Sequence, residues 1–135
     1  MQKPTVTHFG LTFFVIGTIL FIFSMSAVSA QGQDFKVLNG DWVRSDGGYS
    51  IQVRNVSQDG SVSVAYFNPN RIHVAEANVS LWKGMVKLFI KLQDKGYPGS
   101  SYTLYYFETK NALVGFYHQA EMGQTFEVVF IRNHQ

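Results

Sequence analysis

The side chains best suited to chemistry are scattered along this sequence. His73, His118 and His134 share no ligand-like spacing, so no metal site is expected. The carboxylates Asp94, Glu108 and Glu121 all fall in turn-forming stretches, where solvated charge is the ordinary outcome and a general acid–base pair is not built. Serines occupy turns or polar strand positions, with no nucleophile elbow to activate one of them. Cysteine is absent, which removes thiolate catalysis, disulfides and cysteine metal sites together. These absences point to a protein that is not an enzyme and that carries no cofactor.

What remains is suited to binding. Tyr49, Tyr66 and Tyr102 sit at alternating positions that would line an interior. Arg71 and His73, just after the turn Asn68-Pro69-Asn70, would stand at its mouth. Residues 94–101, Asp-Lys-Gly-Tyr-Pro-Gly-Ser-Ser, read as the longest loop, with Tyr97 between glycines at a rim. A third group is the aromatic surplus of residues 102–132. If Tyr102, Leu104 and Tyr106 face inward, then Tyr105 and Phe107 face outward, and the same parity sends Phe116, Val129 and Ile131 outward. An apolar outer face of that size marks an interface, for a second copy or another protein partner.

The elements that must carry these residues are strands. Aromatics make up 16% of the chain and charged residues 15%, and the apolar period from Tyr49 onward is close to two. Apolar stretches separated by turn residues fall at 41–44, 49–56, 61–67, 72–81, 85–92, 102–107, 112–120 and 125–132. Asp59-Gly60 joins the second and third of these as a hairpin. No helix is needed. The expected fold is all-β, an eight-stranded antiparallel up-and-down meander closed into a barrel. A two-sheet sandwich is the alternative, disfavoured because no long crossover is present.

The chain also carries an address. Lys3, the apolar run 11–23 and the small-residue ending Val28-Ser29-Ala30 have the form of a secretory signal peptide over residues 1–30. The rest divides into a flexible lead, 31–37, and a single domain, 38–135. Cleavage limits any membrane association to the leader, and a disulfide-free exported domain suits the periplasm or secretion. Without Lys3, ten basic residues face nine acidic ones, too even a balance for nucleic acid.

Gly40-Asp41-Trp42 near the start of the domain and Phe130-Ile131-Arg132 near its end resemble the calycin superfamily of lipocalins, fatty-acid-binding proteins and avidins. The resemblance implies that Trp42 lies across the closed end of the barrel with Arg132 packed on it, a structural role. Avidin-like meanders are the nearest in layout. Trp82 is the one counterpart to avidin's biotin-contacting tryptophans, so biotin binding is not implied. Together these readings give an exported, non-enzymatic barrel that binds a small apolar ligand or a protein partner. The alternative is an inhibitor of an envelope enzyme that acts through the 94–101 loop.

Overall fold

A computed structural model describes residues 32–134 and the isolated Gln2; the rest of the leader lies outside the described residues. The domain is one antiparallel sheet of nine strands: β1 (Gly40–Arg44), β2 (Ser50–Arg54), β3 (Ser63–Phe67), β4 (Arg71–Ile72), β5 (Val74–Trp82), β6 (Met85–Asp94), β7 (Tyr97–Phe107), β8 (Ala112–Gln119) and β9 (Gln124–Arg132). Every strand pairs with its sequence neighbour, except that β4 and β5 do not pair with each other and form the two edges of the sheet; β1 also pairs with β9. The two-sheet alternative is therefore set aside, and the up-and-down barrel stands, nearly closed.

The seam explains why there are nine strands and not eight. His73, inside the expected single strand 72–81, turns its backbone out of the ladder. Its N–H donates to Asp94 Oδ2 at 2.8 Å and its carbonyl accepts from Gln93 N at 3.0 Å. The chain thereby passes from one edge of the sheet to the other. A second bridge, from Val79 N to the Gly60 carbonyl at 2.8 Å, ties the β2–β3 connection to β5. Edge groups that would otherwise face solvent unpaired are used to close the barrel.

Alternation behaves as the pleat requires. In β6, Val86, Leu88, Ile90 and Leu92 are buried while Lys87 and Lys91 face out; in β7, Tyr102 and Leu104 are buried. Trp42, Tyr66, Tyr102 and Phe130 are the largest fully buried side chains. Three expectations need correction. The 94–101 loop is a tight turn at Lys95-Gly96, because β6 and β7 stay paired through Asp94 and Tyr97. The β2–β3 hairpin forms, but over a longer connection in which Asp59 Oδ1 accepts from Ser61 N and Oγ. Helical structure also occurs: Phe35–Leu38 and Glu108–Lys110 form short 3₁₀ turns. The first of these falls largely within the lead expected to be flexible. Phe35 and Leu38 are buried, Asp34 caps the turn, and Gln58 Oε1 accepts from Phe35 N. Two apolar residues in the core offset the entropy of ordering this segment.

Candidate functional site

The two ends of the barrel differ. At the closed end, Trp42 Nε1 donates to the Leu38 carbonyl at 3.0 Å, and the Arg132 guanidinium lies 4.1 Å from the Trp42 ring centre. Arg132 also donates to the carbonyls of Asn39 and Val37, each at 2.7 Å, and to Asn111 Oδ1 at 3.0 Å. A planar fork of five donors is what lets one side chain hold the 3₁₀ turn, the β8 start and the indole together. Gly40 is required here. Its φ is +143°, and a Cβ would stand 2.4 Å from Arg132 Nη1. Gly40, Trp42 and Arg132 thus form one structural unit, a plug.

At the open end lies a cup of about 510 Å³. Tyr102, Tyr117 and Phe126 are successive cross-strand neighbours on β7, β8 and β9. Tyr66 stands beside them, with its ring centre 5.5 Å from that of Tyr102, and the two hydroxyls hydrogen-bond at 3.0 Å. Tyr97 meets Tyr66 edge-on at 6.1 Å and accepts a hydrogen bond from Asn68 Nδ2. Tyr49 closes the wall, with the Arg44 guanidinium 4.4 Å from its ring centre. Arg44 forms a bidentate pair with Asp46 at 2.6 and 3.0 Å and stands 3.5 Å from the Tyr102 hydroxyl. Its side chain is 12% exposed against 57% for Asp46, so the cation belongs to the cup and the carboxylate to the rim.

Burial opposes the charge on Arg44, but its hydrogen bonds to Asp46 and Tyr102 outweigh burial and raise its pKa. The same contact lowers that of Asp46. Burial raises the Tyr66 and Tyr117 hydroxyls, and pushes Tyr102 up to about 12 against the partial offset of its bonds to Tyr66 and Arg44. All three are neutral donors and acceptors at physiological pH. A raised folded pKa on an acid means that the unfolded state loses its proton first, so stability falls as pH rises from about 10 toward 12. Unfolding free energies from urea titrations across that window are expected to fall by up to about 1.4 kcal/mol per pH unit for the Tyr102 hydroxyl, and less in Tyr102→Phe. A flat profile would contradict the buried, neutral pair.

Of the residues expected to bind a ligand, Tyr49, Tyr66, Tyr97 and Tyr102 meet in this cup. Arg71 and His73 do not. Arg71 is exposed over a shallow outer dent beside Gln52 and Arg54, and exposed His73 serves the seam with its backbone. Tyr97 is half-buried in β7 and faces the interior, not a protruding loop. Arg44, Tyr117, Gln119 and Phe126 also line the cup. Arg44 was legible by parity, two residues beyond the inward Trp42. Phe126 was legible from Arg132, which shares its face.

The outer face carries the second expected group. Tyr105, Phe107, Phe116 and Val129 line a groove of about 510 Å³ over β7–β9, and Ile131 is exposed nearby. Trp82 is also outside, 5.1 Å from Tyr105 and remote in topology from the inward-facing rings. No family model, curated protein or solved structure matches this chain.

Proposed function

We propose that this chain is an exported, non-enzymatic barrel of calycin type that binds a small molecule in the open-end cup. The calycin reading is supported by the Gly40–Trp42–Arg132 plug, and export to the periplasm or beyond by the leader pattern of residues 1–30. The observation that carries the binding reading is the convergence of five tyrosines, Phe126 and an ion-paired arginine on one solvent-open concavity. A binding role is favoured over a catalytic one because the ionisable groups there are already engaged, Arg44 with Asp46 and Tyr66 with Tyr102. The lining mixes hydroxyls with rings, so the ligand class is narrower than apolar: it has one apolar face and polar edges. An inhibitor acting through residues 94–101 has less support, since the segment projects only the Lys95-Gly96 turn.

A saturation-transfer NMR screen of small molecules with a flat or apolar face tests the cup. At least one compound is expected to bind the full chain and to lose most of its signal in Tyr117→Ala and Phe126→Ala. A screen whose binders are all indifferent to both substitutions would end this reading.

A second reading concerns the outer face, where Phe116 is 45% exposed at the centre of the apolar groove. Lys87 on β6 and Glu127 on β9 flank the groove from opposite sides. A two-fold pairing of copies would set each Lys87 against Glu127 of the second copy while covering Tyr105, Phe107 and Phe116. Native mass spectrometry is expected to report a dimer that Phe116→Glu converts to monomer. A monomeric parent chain would remove the dimer proposal.

A further inference from the structure

We infer that the Arg44–Asp46 pair is a carboxylate site that the chain itself keeps filled, and that the cup takes a small monocarboxylic acid whose carboxylate replaces Asp46 on Arg44. This rests on the cup being a ligand site and names the chemistry that would occupy it.

The first ground is the geometry of the pair. Arg44 Nε donates to Asp46 Oδ1 at 2.6 Å and Nη2 donates to Oδ2 at 3.0 Å, so one edge of the guanidinium already grips a carboxylate through two bonds. The Tyr49 ring backs the guanidinium with its centre 4.4 Å away, and the Tyr102 hydroxyl stands 3.5 Å from Nη1. The cation is thereby fixed on the cup wall. Its carboxylate is held far less firmly: Asp46 is 57% exposed in the turn 45–48, beside Gly47 and Gly48, and neither of its oxygens reaches another strand. An ion pair with one partner in solvent holds little net free energy. Exchanging Asp46 for a second carboxylate keeps the largely buried cation paired and returns Asp46 to water.

The second ground is the rest of the lining. The Tyr66 and Tyr102 hydroxyls bond to each other at 3.0 Å, and among the described residues no carboxylate lines the cup. Arg44 is therefore the group that selects the charge of a ligand, and it selects against a cation. A bare anion would leave most of the 510 Å³ to water, although Phe126 is 43% exposed and Tyr97 and Tyr117 are only partly buried. An apolar body attached to the carboxylate covers that surface. It needs no flat platform, because the gain from burying apolar area is not directional.

The test is calorimetric titration of the full chain at neutral pH with phenylacetate and hexanoate, beside phenylacetamide, hexanol and inorganic phosphate. At least one of the two acids is expected to bind, about two- to fivefold more tightly in Asp46→Asn and about tenfold more weakly in Arg44→Lys. Opposite signs for the two halves of one ion pair are what an exchange requires; a pair that only braces the β1–β2 turn would give losses in both variants or in neither. Asp46 lies in an exposed turn, so its variant keeps the fold even if Arg44→Lys does not. Acid binding that is unchanged or weaker in Asp46→Asn would overturn the exchange, as would phosphate binding with neither acid bound. Binding of the amide or the alcohol at the cup with neither acid bound would overturn it too, and leave the small-molecule reading standing. If no probe of any class binds, both fail together.

Discussion

Trp42→Ala is expected to lower the unfolding free energy by about 3 to 5 kcal/mol, a large share of the roughly 5 to 15 kcal/mol that holds an ordinary domain folded. The indole is fully buried, and its removal does more than open a void. Arg132 loses the ring it packs on, Tyr106 loses an edge-on partner at 6.2 Å, and the Leu38 carbonyl loses its donor. Trp42→Phe separates these effects. It keeps a ring for Arg132 and Tyr106 but drops the hydrogen bond to Leu38, and about 1 to 2 kcal/mol is expected. Urea unfolding followed by circular dichroism measures both. An alanine variant within 1 kcal/mol of the parent, roughly the size of an ordinary surface change, would mean that the plug does not hold the closed end.

Gly115→Ala is expected to cost about 3 kcal/mol, at the upper end of overpacking effects. A Cβ at this position would stand 2.0 Å from the Thr103 carbonyl oxygen and 3.0 Å from Leu104 Cα, both backbone atoms of the paired strand. A flexible side chain could swing aside, whereas β7 cannot move without breaking its ladder to β6 and β8. The cup lies on those same strands, because Tyr102 and Tyr117 pair one step along the face from Leu104 and Gly115. The variant should therefore weaken any ligand of the cup along with the fold. Thermal unfolding at matched concentration, with the denaturant midpoint as a second reading, checks the magnitude. A variant as stable as the parent would show that β7 and β8 tolerate separation here.

The fold was legible because its information is local. Period-two alternation in residues 85–92 and 125–132 needs no distant partner to be read, and the short connections admit few topologies besides a meander. The plug was legible too, since Gly40, Trp42 and Arg132 differ in type from everything around them. What escaped is set by long-range pairing. The break at His73 exists because Asp94 and Gln93, about twenty residues on, capture its backbone, and nothing in Arg71-Ile72-His73-Val74 announces that. The segment 94–101 looks like a loop by composition, yet Pro98 and Gly99 are carried in β7 past a register shift between Lys91 and Gln93. The same limit hid half of the cup. Tyr49, Tyr66 and Tyr102 declare themselves by alternation; the parity that carries Trp42 inward carries Arg44 with it, but only the pairing of β1 with β9 brings Arg44 to the same cup.

The account places ligand binding in the open-end cup and leaves the outer aromatic face to other uses, and one spectrum distinguishes them. Aromatic-region NMR of the full chain, recorded with and without a bound compound, reports each ring separately. Resonances of Tyr102, Tyr117 and Phe126 are predicted to move, while those of Trp82, Phe107 and Phe116 stay in place. Movement confined to the outer group, with the inner three unchanged, would contradict the assignment of the open end as the binding site.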